Sequence, residues 1–428
     1  MEQGISTGYK QTEVGVIPTG WDVKPLGSVL SNARLGGNYP NRSIETAFPL
    51  MKMGNLDRGV FDLSQIQFIL PGVTLDERHK LSGGDVLFNT RNTLDLVGKA
   101  AIWKEQLPVA YYNSNLLRLE FDPNQVCSNQ YANYALNTRG SIARLRELAT
   151  GTTSVAAIYT RDLMRLSFIV PPKNEQRVIA DALGNVDALL DALGRLIAKQ
   201  RNVKQAAMQQ LLTGRTRLPG FTGEWRVTRL GDHLAFLKHG TNSRAELTTK
   251  GTVNYLHYGD IHGAPGVTLN PSATLMPYLP EPKARALDRL RDGDLVFADA
   301  SEDLEGVGRS IELCGTGACE VVSGMHTIAV RFDNAVLANG FKGYLQFLPA
   351  FRNHLQRLAA GTKVYATNRA YIASAELALP SIAEQSAIAT VLSDMEAEIA
   401  ALEGRRAKTC DLKQAMMQEL LTGKTRLV

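Results

Sequence analysis

The sequence predicts a mixed α/β (α+β) protein: two globular domains at opposite ends of a long antiparallel two-helix coiled coil, related by a pseudo-two-fold internal repeat. Three observations predict it. Residues 171–218, PPKNEQRVIADALGNVDALLDALGRLIAKQRNVKQAAMQQLLTGRTRL, return as residues 380–427, PSIAEQSAIATVLSDMEAEIAALEGRRAKTCDLKQAMMQELLTGKTRL, at a constant offset with no insertion. Self-similarity at one fixed spacing marks a duplicated structural unit. Each copy carries an apolar seam of heptad type: Ile179, Leu183, Val186, Leu190, Leu193 and Ile197 in the first, and Ile388, Leu392, Met395, Ile399 and Leu402 in the second. Ahead of each copy lies a stretch of short β-like runs separated by Gly- and Asn-rich turns.

The first globular domain takes residues 1–170. It opens on a polar segment ending in Ile-Pro-Thr-Gly-Trp21 and runs through strands at 86–88, 116–121 and 166–170, with a helical stretch at 131–148 before a Gly-Thr loop. Residues 171–214 form the first spacer helix. Proline precedes it, and Thr213-Gly214 ends it, with glycine free to take the left-handed cap. A helix of about 40 residues is roughly 60 Å long, and its seam needs a partner; the economical one is the second copy. Residues 215–379 form the second globular domain, with strands at 295–297, 327–332 and 377–379 and a helix at 341–358. Residues 380–428 form the second spacer helix, started by Ser381-Ile-Ala-Glu384 in capping-box form and stopped by Thr422-Gly423.

The globular domains share frame residues only. Trp21 matches Trp225, Gly84-Asp85 matches Gly293-Asp294, Val97-Gly98 matches Val307-Gly308, and Ala149-Thr-Gly151-Thr152 matches Ala359-Ala-Gly361-Thr362. Near-copied helices under divergent domains imply one job done twice by the helices and one kind of job done on two targets by the domains. Antiparallel helices would set the domains apart with approximate two-fold symmetry, which is also the local symmetry of duplex DNA.

Composition narrows the class. The chain has 428 residues, 44% hydrophobic and 21% charged, enough for two or three domains with ordinary cores. A net charge of +5 permits an anionic partner without requiring one. Cys127, Cys314, Cys319 and Cys410 form no CxxC pair, in keeping with free thiols in a reducing cytoplasm. No apolar run approaches the ~18 residues of a membrane span, and no signal pattern precedes the first domain. No phosphate loop, HExxH or nucleophile triad is present, so neither catalysis nor a bound metal is expected.

The loops instead hold planar, polar and basic side chains. In the first domain these are Arg34, Asn41 and Arg42, then Asn89 and Arg91, then Asn113, then Thr152; in the second they are Lys238, Asn242 and Arg244, then His257, His326, and finally Lys363, Asn368 and Arg369. Arg and Lys pair with guanine, Asn pairs with adenine, and hydroxyls suit phosphates. The competing explanation is ordinary turn chemistry, which favours Asn, Gly and Ser anyway. One loop departs: acidic Asp299-Ala-Ser-Glu302-Asp303-Leu-Glu305 stands where the first domain has Asn89-Thr-Arg91. It could accept from cytosine N4 or face away.

The Pro171-Pro-Lys-Asn-Glu175-Gln176 and Pro380-Ser-Ile-Ala-Glu384-Gln385 helix starts, the Leu-Leu-Thr-Gly ends at 211–214 and 420–423, the two Trp phrases and the Gly-Thr loops together resemble the DNA-specificity (S) subunit of type I restriction-modification enzymes, over essentially the whole chain. That resemblance implies two target-recognition domains, each reading one half of a split asymmetric sequence in double-stranded DNA. It implies a spacer that sets the gap between the halves. It also implies docking of two methylation subunits, which carry S-adenosylmethionine and methylate adenine, and of restriction/translocation subunits. The chain itself would bind no cofactor and would be non-catalytic and cytoplasmic. The Gly-Gly-Asn-Tyr-Pro phrase at 36–40, in place of the family's usual Gly-Thr-Pro, is a second departure. The alternatives are a coiled-coil scaffold with two protein-binding domains, which salt-sensitive DNA binding would exclude, and the targeting subunit of a methylation-only or other phage-defence system, which the neighbouring genes would separate.

Overall fold

The structure, a computed structural model, describes residues 7–152, 155–359, 361 and 364–427. The chain divides into two compact units, Met1–Gly194 with Arg405–Val428, and Arg195–Gly404. Both long helices are present, Lys173–Leu211 and Ile382–Leu420, so each contributes one part of its length to each unit.

In the first unit a four-stranded antiparallel sheet has the order Ala100–Ile102, Val86–Asn89, Leu116–Phe121, Leu30–Leu35. Its buried face packs on Tyr131, Ala135, Leu145 and Leu163 and on Ile179, Leu183, Leu420 and Leu421 of the long helices. A second sheet orders Tyr111–Tyr112, Pro49–Met51, Gln67–Ile69 and Asn41–Arg42. The helical stretch expected at 131–148 is two helices, Asn129–Leu136 and Arg139–Leu148. Thr138 breaks it: its Oγ1 accepts from Ser141 N at 3.1 Å and caps the second helix.

The second unit holds a five-stranded sheet in the order Leu234–Phe236, Thr327–Phe332, Leu295–Ala298, Ser310–Leu313, Thr268–Leu269. Its core joins Phe297, Phe341, Phe351 and Leu355 to Leu211, Leu212, Ile388 and Leu392 of the long helices. The helix expected at 341–358 begins as a 3-10 segment, Lys342–Phe347, and becomes α-helical only at Pro349–Leu358. Proline at the first helical position starts the second segment cleanly, because it has no N–H to satisfy there.

Of the heptad seam, Ile179, Leu183, Leu193, Ile197, Ile388, Leu392 and Ile399 are buried, while Val186, Leu190, Met395 and Leu402 are half-buried. Within each unit the helices run antiparallel. In the first, Asp187 meets Lys413 at 2.6 Å and Glu175 meets Arg426 at 2.5 Å. In the second, Arg201 meets Glu403 at 2.5 Å, and Lys204 pairs with Glu396. As one helix ascends its partner descends. Both helices end on glycine in the left-handed region, Gly214 at φ 67° and Gly423 at φ 73°.

Three motifs shared by the two copies converge at each helix start. Glu175 is 4% exposed and accepts from Trp21 Nε1 at 3.1 Å and from Arg426. Gln176 accepts from Cys127 N (2.9 Å) and donates to the carbonyls of Gln125 and Pro171. In the second unit Glu384 pairs with Arg217, and Gln385 accepts from Ala338 N (2.9 Å) and donates to Val336 and Pro380. Of the capping box expected at Ser381, only half forms. Ser381 Oγ accepts from Glu384 N at 3.3 Å, while the Glu384 carboxylate turns to Arg217.

Candidate nucleic-acid interface

One backbone frame recurs in both units and gathers their dissimilar loops. In the first unit the N–H of Ile158 donates to the Thr90 carbonyl (3.0 Å), the N–H of Thr90 to the Asn115 carbonyl (3.1 Å), and the N–H of Gly37 to the Tyr112 carbonyl (3.0 Å). In the second, the N–H of Thr367 donates to the Asp299 carbonyl (2.8 Å), that of Asp299 to the His326 carbonyl (3.1 Å), and that of Gly240 to the Ser323 carbonyl (2.7 Å). These bonds use main chain only, so they survive wholesale change of the side chains around them. A small sheet extends each frame: Thr150–Gly151, Ala156–Ala157 and Arg91–Asn92 in one, Ala300–Ser301 with Tyr365–Ala366 in the other.

The expected residues of the first unit divide into presenters and builders. Arg91, Arg42 and Thr152 are exposed, and Arg34 is half-buried on the strand leading to the Gly36–Gly37 turn. Asn89 and Asn113 are buried. Asn89 Oδ1 accepts from Arg91 N (3.1 Å) and Asn113 Oδ1 from Asn115 N (3.2 Å), so both side chains shape turns. Asn41 is tied to the Tyr39 carbonyl (2.6 Å) and to Lys52 Nζ (3.2 Å). The frame thus brings Asn89, Arg91, Asn113 and Thr152 together, with Asn41 and Arg42 on the neighbouring sheet.

In the second unit Lys238, Arg244, His326, Asn368 and Arg369 are exposed, and Lys363 lies outside the described residues. His257 is 5% exposed and caps the short helix Tyr258–Gly263, its Nδ1 accepting from Gly259 N at 3.3 Å. Burial pushes the imidazole below its usual pKa, and the neighbouring Arg244 pushes the same way. Asn368 caps Arg369–Ala373 through Tyr371 N (2.9 Å). Arg369 reaches the Leu237 carbonyl at 3.2 Å and lies 5.4 Å from the centre of the Phe236 ring. Asn242 is held by Glu246 (3.0 Å).

Two acids of the acidic loop are answered internally. Asp303 Oδ1 accepts from Gly306 N (2.6 Å), and Glu305 faces Arg352 at 3.8 Å. Asp299 Oδ1 lies 3.3 Å from His326 Nδ1, outside hydrogen-bond alignment. Sequence reasoning passed over Asn115, while Tyr258, next to His257 in the same loop, meets the His326 ring edge-on at 5.7 Å. Among the described residues no group of three or more His, Cys, Asp or Glu converges as a metal site, and no helix is long and apolar enough to cross a membrane.

A family model described as the type I restriction modification DNA specificity domain matches residues 18–199. That match places the likeness in the first globular domain and the first part of the first long helix. The chain's relatives match end to end. The putative type I restriction enzyme MjaX specificity subunit of Methanocaldococcus jannaschii is 22% identical over 436 residues, covering 98% of this chain and 97% of that protein. The MjaVIII specificity subunit of the same organism is 19% identical over 433 residues, covering 96% and 94%. Two solved structures share the fold. The S subunit of a type I restriction-modification system from M. genitalium has a TM-score of 0.56 at 15% identity, covering 94% of this chain and 96% of that one. A chain from a study of complex assembly and conformational transition in a type I restriction-modification system has a TM-score of 0.55 at 16% identity, covering 96% and 99%.

Proposed function

We propose that this chain acts as a specificity subunit that reads a bipartite, asymmetric double-stranded DNA site, one half through residues 1–170 and the other through residues 215–379. The observation that carries the reading is the repeated main-chain frame, on which each unit assembles a different set of polar loops. Exposed Arg42, Arg91, Lys238, Arg244 and Arg369 supply the positive charge that phosphates and guanines take. Buried Asn89, Asn113 and His257 hold the loops in shape and act on DNA through their neighbours.

Residues 171–214 and 380–428 serve as the spacer. Their closely matching last turns, Lys-Gln-Ala-x-Met-Gln-x-Leu-Leu-Thr-Gly at 204–214 and 413–423, repeat one surface, which suits two copies of one methylation subunit. Those subunits would carry S-adenosylmethionine and methylate adenine, and restriction/translocation subunits would complete a cytoplasmic complex. The test is binding of the purified assembly with its methylation subunits to its own methylation motif and to a scrambled duplex. Tight, salt-sensitive binding to the motif alone is expected. Equal affinity for both duplexes would remove the DNA-reading role.

A further inference from the structure

We infer that Asn115 in the first unit and His326 in the second are equivalent base-reading positions, each setting one base pair of its own half-site, with Asn115 taking an adenine. The inference rests on the bipartite reading proposed above and deepens it.

Equivalence comes from the frame. Asn115 and His326 each offer their carbonyl to the N–H of the residue that starts the variable loop, Thr90 and Asp299, both at 3.1 Å. Each lies three residues after the carbonyl that receives the glycine N–H, Tyr112 for Gly37 and Ser323 for Gly240. Both therefore occupy the same place in the same turn. The spacing between them is two residues wider than the offset of the long helices, which is why matching by position does not pair them.

The two positions share main-chain bonds and differ in side chain. The main chain of Asn115 is fixed further by Thr90 Oγ1, which donates to its carbonyl at 2.9 Å, and by Asn113 Oδ1, which accepts from its N–H. Its side-chain amide makes no hydrogen bond among the described residues, and its carbonyl is held by Thr90, the chain neighbour of exposed Arg91. An unengaged amide offers the adjacent donor and acceptor that adenine N7 and N6 complement. His326 is held at φ 59°, in the left-handed region that few non-glycine residues occupy, with its side chain 53% exposed. Strain at an exposed turn beside recognition loops is characteristic of a functional position. Tyr258 steadies the ring from the edge, and the Asp299 carboxylate stands 3.3 Å from Nδ1. Because the frame bonds ignore side-chain identity, this position is free to change with the target sequence while the fold stays intact.

The test uses the purified assembly with its methylation subunits and a set of duplexes varied one base pair at a time. Asn115→Ala is expected to lower discrimination at one adenine-containing base pair of one half-site by about tenfold or more, while the other positions keep theirs. His326→Asn, which tolerates the left-handed conformation, is expected to change the preference at one base pair of the other half-site. Asn115→Asp keeps the shape without the amide donors and should lose the adenine preference too, so the test survives if the alanine variant fails to assemble. Unchanged profiles for all three variants overturn the inference, as does a loss spread evenly over every position. If the unsubstituted assembly itself ignores base sequence, the parent reading has failed instead, which is a different result.

Discussion

Arg426 closes on Glu175 from 251 residues away, its Nη2 at 2.5 Å and its Nε at 3.0 Å from the carboxylate oxygens. The same carboxylate accepts from the indole of Trp21, so one buried acid ties together the start of the first domain, the start of the first long helix and the end of the second. Arg217 and Glu384 repeat the ion pair in the second unit, but there Trp225 packs against the Arg217 guanidinium and its Nε1 does not bond the acid. Removing the acceptor leaves Trp21 Nε1 buried without a partner. Glu175→Ala is therefore expected to destabilise the first unit by about 1–3 kcal/mol, read as a lower Cm in urea with an unchanged m value. Arg426→Ala should destabilise it as well, and the double variant should cost less than the two single changes added together.

Leu183 and Leu392 are fully buried at matching places on the two long helices. Each belongs to the core of a different unit. Truncation to alanine is expected to cost about 2–5 kcal/mol at either site. Denaturant unfolding should show the loss in both variants, whereas Leu412→Ala, at an exposed position of the second helix, should leave stability nearly unchanged.

The loop carrying Asn242 has an acid-sensitive hold. Lys283, then the N–H of Ser243 and the Asn242 amide, draw the Glu246 carboxyl from its ordinary 4.5 down to about 2. A carboxyl whose folded pKa is depressed stabilises above its unfolded pKa and loses that contribution as pH falls towards the folded value. Ordering of the 243–246 turn should therefore weaken between pH 4.5 and about 2. The side-chain carboxyl signal of Glu246 would show it by NMR, and a titration midpoint near 4.5 would contradict the assigned contacts.

Lys238 is exposed and its ammonium makes no hydrogen bond or ion pair among the described residues, which suits a phosphate partner. Lys238→Ala is expected to reduce the slope of log K against log salt by about 0.9 and to weaken binding to all duplexes alike. A change in sequence preference would reassign Lys238 to base reading.

The long helices were the most legible part of the chain, because a heptad seam states both the element and its buried face. Ile179, Leu183, Ile388 and Leu392 are buried where the periodicity puts them. The link between Trp21, Glu175 and Arg426 was not legible. All three belong to phrases shared by the two copies, but repetition marks a shared duty without saying which phrases touch. The loops were legible as polar and no further. Asn89 and Asn113 look from sequence like Arg91, and only burial separates the residues that build a turn from the one that it presents. Asn115 was hidden by a two-residue shift in the repeat that only the main-chain bonds reveal.

The long helices are proposed to set the gap between the half-sites. One extra turn, four residues or about 6 Å of helix, inserted after both Gln200 and Ala401 should change the number of unread base pairs in the methylated motif. An unchanged gap would remove the helices as its determinant.

The most direct measurement replaces residues 30–160 with the matching segment of a related specificity subunit and maps the methylated adenines in DNA from cells carrying the hybrid and its methylation subunits. One half of the motif should take a new sequence while the other half stays as it was. A motif altered in both halves, or in neither, would contradict two independent readers on one chain.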